Sequence, residues 1–127
     1  MAILAGITAP FSQTEAQSPL KFRDTTIQGP QTFAIILGVS KYKYVRPLTY
    51  ADKDAELFRD YLRSPGGGGL KEDNIFSLFN EQALASTFWT KGFQWLRAKQ
   101  LQKGDRLFIY LAGHGDAIDE DQYFFLS

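Results

Sequence analysis

The chain's one histidine, His114, stands between two glycines in Gly113-His114-Gly115-Asp116, directly after the apolar run Arg106 to Ala112. Imidazole, with an ordinary pKa near ~6.5, takes and returns protons at neutral pH, so a histidine at a strand end is well placed for acid–base work. Flanking glycines let the backbone turn sharply and bring N–H groups close to a bound group, which makes the Gly115 N–H a candidate oxyanion donor. Ser40 also follows an apolar run, but Gly38-Val39-Ser40 lacks the second glycine of a nucleophile elbow, so a Ser40–His114 hydrolase is disfavoured. There is no cysteine, which excludes a thiolate nucleophile, thiolate–zinc sites and disulfides within this sequence. A lone histidine likewise excludes a His-rich metal cluster. Asp116, Asp119, Glu120 and Asp121 lack the glycine and ordered ligand spacing of a calcium loop and read as a solvated turn. Gly66 to Gly69 follows a helix, with no Gly-Lys-Ser/Thr after it, and is no phosphate loop.

Positioning His114 requires a sheet. Phe33 to Val39 is a continuous apolar run between Pro30 and Ser40-Lys41, the pattern of a strand buried on both faces. Thr49 is then expected to cap a helix, with Asp52 completing a capping box. Ala51, Ala55, Phe58 and Leu62 fall on one face of that helix, and Ser64-Pro65 with Gly66 to Gly69 ends it. Asn74 to Phe79 reads as a second strand. A second helix is expected from about Ser86 to Gln102, with Gly92 inside it at a cost of about 1 kcal/mol relative to alanine. Its Trp89, Phe93 and Trp95 read as packing residues rather than a binding platform. Arg106 to Ala112 is the third strand, followed by a turn over Asp116 to Gln122 and an apolar strip, Tyr123 to Ser127. The order β-α-β-α-β predicts a parallel sheet with helices on its faces. Function in such a sheet sits at the carboxyl ends of the strands, where His114 stands.

Residues 1–31 form a leader ahead of a domain spanning 32–127, with one short strand or turn around Leu20 to Ile27. The apolar Ala2 to Phe11 precedes small residues at Thr14-Glu15-Ala16, without a basic region before it. A remnant export signal and a flexible leader both fit, so the sequence assigns no compartment. That stretch is too short to span a bilayer. Lys+Arg and Asp+Glu each number 14, so no net charge draws the chain to nucleic acid or to an anionic membrane. Apolar residues at 44% suit one packed domain.

Phe33-Ala-Ile-Ile-Leu-Gly-Val-Ser-Lys-Tyr42 resembles the first strand of caspases, metacaspases and their bacterial relatives. Leu48 to Leu57, ending Asp54-Ala55-Glu56-Leu57, resembles their first helix start. Gly104 to Gly115 resembles the third strand with its catalytic His-Gly, and Tyr123 to Leu126 is similar to the strand that follows. The resemblance covers about residues 33–127 in order and spacing. It implies a caspase-like three-layer α/β/α fold with a mainly parallel sheet, incomplete at its C-terminal side.

The resemblance further implies part of a cysteine endopeptidase acting on polypeptide substrates through a Cys–His dyad. His114 would be the acid–base residue and the Gly115 N–H part of the oxyanion site. The cysteine is expected ~50 residues beyond the histidine, past Ser127, so the chain alone would be inactive. Its partner would be the half carrying the cysteine, or a second copy paired through the sheet edge left at Tyr123 to Ser127. Leu48 aligns with the arginine by which caspases select aspartate, and Arg46 lies two residues away. Metacaspases, which cut after Arg or Lys, have an acid where Asp54 aligns. Asp54 and Asp52 are therefore candidate substrate-binding residues, although an acid in a first helical turn is favoured by the helix dipole in any case. Calcium enters only by analogy with some metacaspases, and no other cofactor is implied. The competing readings are a non-catalytic pseudo-peptidase used for assembly and a flavodoxin-like binding domain. Ser40-Lys41-Tyr42 gives the latter no glycine loop.

Overall fold

The computed structural model describes residues 29–117 and 123–126. The leader reading, the short element around Leu20 to Ile27, and Asp119, Glu120 and Asp121 therefore lie outside the described residues. Strand β1 (Thr32–Gly38) occupies the centre of a parallel sheet, between β2 (Ile75–Phe79) and β3 (Arg106–Ala112). That central place accounts for its unbroken apolar run, because a strand flanked on both edges and covered on both faces meets no water.

Successive β1 side chains alternate between two layers. Ala34 and Ile36 pack with Ala55 and Leu62 of helix α1 (Ala51–Arg63), and Phe58 of the same helix joins them. Ile35, Leu37 and Val39 face the other way, against Leu78, Phe88, Trp95 and Leu96. Those aromatic contacts come from a second helical layer made of α2 (Ala85–Thr87), a π-helical segment (Phe88–Gly92) and α3 (Phe93–Lys99). Helices on both faces of a parallel sheet give the expected three-layer α/β/α architecture.

Where the elements differ from expectation, the causes are local. The second helix stops at Lys99 because Gln100 turns left-handed, at φ 48°. Gly92 is buried for space: a Cβ there would meet Phe88 Cδ2 at 3.0 Å and Phe76 Cε1 at 3.2 Å. Trp95 packs into the core beside Phe33 and Phe76, whereas Trp89 and Phe93 are exposed and stack on each other at 4.9 Å. The Thr49–Asp52 capping box does not form. Tyr50 is the N-cap, without a side-chain hydrogen bond, and the Asp52 N–H donates instead to Ser40 Oγ at 2.9 Å. A serine from the loop after β1 thus caps α1 from outside it.

Tyr123 to Phe125 does not extend the parallel sheet. As β5 (Tyr123–Phe125) it pairs antiparallel with β4 (Gly115–Ala117) in a separate two-stranded sheet. Among the described residues β2 and β3 are the two outer strands, and on β3 the side chains of Phe108, Ile109 and Leu111 are 43%, 62% and 51% exposed.

Candidate active site

β1 and β3 end side by side, with the Val39 N–H donating to the Ala112 carbonyl at 2.8 Å. The segments leaving them are therefore neighbours: residues 40–48 after β1, and Gly113-His114 after β3. The Leu48 N–H donates back to the Ser40 carbonyl at 2.8 Å, closing the first segment into a loop.

That loop holds His114 at two points. The His114 N–H donates to the Tyr42 hydroxyl at 2.7 Å, and Nε2 lies 2.8 Å from the Arg46 carbonyl oxygen. A carbonyl only accepts, so Nε2 carries the proton in this contact and a neutral ring leaves Nδ1 unprotonated. The Tyr42 and His114 rings are tilted against each other with centroids 4.9 Å apart. A third hold comes from the hairpin, where the Leu126 N–H donates to the His114 carbonyl at 2.9 Å.

Gly113 serves this packing. A Cβ on Gly113 would sit 2.6 Å from the Tyr42 hydroxyl and 2.7 Å from Phe125 Cζ, so only glycine lets both rings close on the histidine. Neither Gly113 nor Gly115 has a positive φ, and at Gly113 the role is space rather than a left-handed turn. The Leu126–His114 bond makes that pair a hydrogen-bonded one, so Gly115 and Phe125 form the adjacent non-hydrogen-bonded pair. The Gly115 N–H accordingly points away from β5.

Behind the loop lies a polar cluster at the carboxyl ends of β1 and β2. Ser40, 4% exposed, donates through Oγ to Asp52 Oδ1 at 2.6 Å. Asn80 Nδ2 donates to Asp52 Oδ2 at 2.9 Å, while Asn80 Oδ1 accepts from the N–H groups of Ser40 and Lys41 at 2.9 and 3.1 Å. The bond from Asn80, then that from Ser40, holds the Asp52 carboxyl below its ordinary value of about 3.8. A depressed carboxyl stabilises the fold above its unfolded pKa, and that contribution fades as pH falls through the folded value. Wild-type urea stability should therefore drop more steeply than that of Asp52→Asn from about pH 5 to about pH 2. Parallel acid limbs would show that the cluster contributes nothing of this kind.

Asp52 and Asp54 do not share a site. Two positions on a helix diverge by about 200°. Asp52 is committed to the cluster with both oxygens, whereas Asp54 is exposed and has no side-chain partner among the described residues. No hydrogen bond or ion pair links either carboxylate to His114 among the described residues. Beside the histidine, Val39, Tyr42, Val45, Leu84 and Leu126 line a mainly apolar cleft of about 410 Å³. A larger polar cleft of about 760 Å³ includes Thr32 and Arg106, at the opposite, amino ends of the strands. No group of three or more His, Asp or Glu among the described residues could hold a metal ion.

The sequence singles out His114 but gives Tyr42, Ser40 and Asn80 no role in holding it. The available signal was position: Ser40 and Asn80 directly follow Val39 and Phe79, and Tyr42 comes two residues after Ser40, all at the carboxyl ends of parallel strands. The family model described as the caspase domain matches residues 31–126. No curated protein matches the chain.

Proposed function

Since this chain belongs to the caspase-domain family of cysteine peptidases, we propose that it supplies the histidine half of a caspase- or metacaspase-like endopeptidase. The observation that carries this reading is the grip on His114: Nε2 is committed to the Arg46 carbonyl and Nδ1 is left for the reaction. In the proposed reaction, a cysteine thiolate attacks the scissile carbonyl carbon and the Gly115 N–H steadies the oxyanion. The C–N bond then breaks as His114 passes a proton to the departing amine, and water hydrolyses the thioester, returning the thiol.

The thiolate must come from residues outside this sequence, which has no cysteine. The open edge of β3 offers the place for a cysteine-bearing strand to pair, since its exposed Phe108, Ile109 and Leu111 would be covered by such a neighbour. A second copy of this chain competes for the same edge. Alone, the chain is inactive in this reading.

Cleavage of Arg/Lys and Asp peptides, with the cysteine-bearing segment supplied, tests the proposal. Failure to cut either class favours the pseudo-peptidase alternative. Asp54 is the proposed partner for a basic P1 residue, because its carboxylate is exposed and uncommitted. Asp54→Ala should lower kcat/KM on Arg/Lys peptides by about 10- to 100-fold, the worth of a charged hydrogen bond. Unchanged kcat/KM would remove Asp54 from the S1 site.

A further inference from the structure

His114 is held by a loop, and the loop must itself be held. Its Tyr42 hydroxyl and Arg46 carbonyl both lie on residues 40–48, whose root is fixed by Asn80. A single amide oxygen there accepts from two consecutive N–H groups, while the amide nitrogen ties Asp52 into the same cluster. Asn80 makes these bonds from the left-handed region, at φ 47°. For residues with a side chain that conformation is disfavoured, and asparagine bears it better than most. Backbone strain retained at a strand end, next to a candidate site, calls for a compensating role.

We propose that Asn80 and Tyr42 are positioning residues for His114. Asn80 clamps the root of the loop, and the Tyr42 hydroxyl seats the histidine backbone so that the ring keeps its Nε2–H on Arg46 and presents Nδ1. Neither residue makes a hydrogen bond to the imidazole nitrogens. The relevance of this seating to catalysis rests on the reading of His114 as the acid–base group.

Because the chain has one histidine, its imidazole nitrogens give unambiguous signals in long-range ¹H–¹⁵N correlation spectra. Recorded on the whole chain at alkaline pH, these spectra read the ratio of the two neutral tautomers directly. The wild type should be dominated by the Nε2–H form. Asn80→Gly keeps access to positive φ while removing the amide, and Tyr42→Phe keeps the ring contact while removing the acceptor. Each should move the ratio toward Nδ1–H by about fivefold, the worth of one net hydrogen bond, with the far-ultraviolet circular dichroism unchanged. A merely structural role for Asn80 would lower stability and leave the tautomer ratio alone. The proposal is overturned if both variants fold and keep the wild-type ratio, or if the wild type is not mainly Nε2–H. Should Asn80→Gly fail to fold, Tyr42→Phe decides by itself. Failure of a cysteine-complemented enzyme to cleave peptides would count against the peptidase reading, whereas the tautomer ratio decides this one.

Discussion

His114→Ala, introduced into the chain complemented with its cysteine, is expected to lower kcat/KM for peptide cleavage by about 10²–10⁴-fold, the usual worth of a positioned acid–base group. The ring is only half-buried and its partners are a hydroxyl-bearing aromatic and one loop carbonyl. Removing it leaves the β1–β3 ladder and both helical layers untouched, so the loss should fall on kcat with the fold retained. The backbone bonds to Tyr42 and Leu126 also survive in the variant, because they use the N–H and the carbonyl. Circular dichroism and urea midpoints close to wild type, alongside the collapsed rate, would complete the expected result. Activity that persists in this variant would overturn the role given to His114.

The second large effect lies in the core. Phe33 is 1% exposed at the start of β1, with its ring 6.4 Å from that of Trp95 in an edge-on arrangement. Phe33→Ala should cost about 3–5 kcal/mol through lost transfer energy and the cavity left behind. Against a typical total of about 5–15 kcal/mol, that removes a large share of the domain's stability. Urea titration would report it as a lower midpoint at unchanged slope. Phe108 supplies the control: at 43% exposure on the open strand, its replacement by alanine should cost far less. Equal costs at the two positions would mean that β3 is already covered in solution.

Much of this architecture was legible. Burial on both faces wrote itself into β1 as an unbroken apolar run, and α1 carried its inward stripe at Ala51, Ala55, Phe58 and Leu62. Caps and edges were harder, because they depend on what arrives from elsewhere. Thr49 and Asp52 have the spacing of a capping box, yet Ser40 reaches the Asp52 N–H first. The Ser40–Asp52–Asn80 cluster joins residues 12, 28 and 40 positions apart, a separation no local pattern encodes. β3 reads as apolar as β1 does, and its composition alone cannot say that its outer edge is open. At the site, strand position and flanking glycines singled out His114. The reason for Gly113 was different from the one inferred, since two rings press on it and no left-handed turn is made.

The central place of β1 also sets an order of events during synthesis. Its first pairing, with β2, closes a loop from Ala34 to Ile75, while pairing with β3 joins Thr32 to Arg106. Closure entropy rises only with the logarithm of length, so the longer loop costs roughly 0.5 kcal/mol more than the shorter. The larger consequence is waiting time. At roughly 5–20 residues per second, the most apolar segment of the chain stays half-paired for seconds until β3 has left the ribosome. During that interval β1 is the segment a chaperone would find, and the one through which two nascent chains would aggregate.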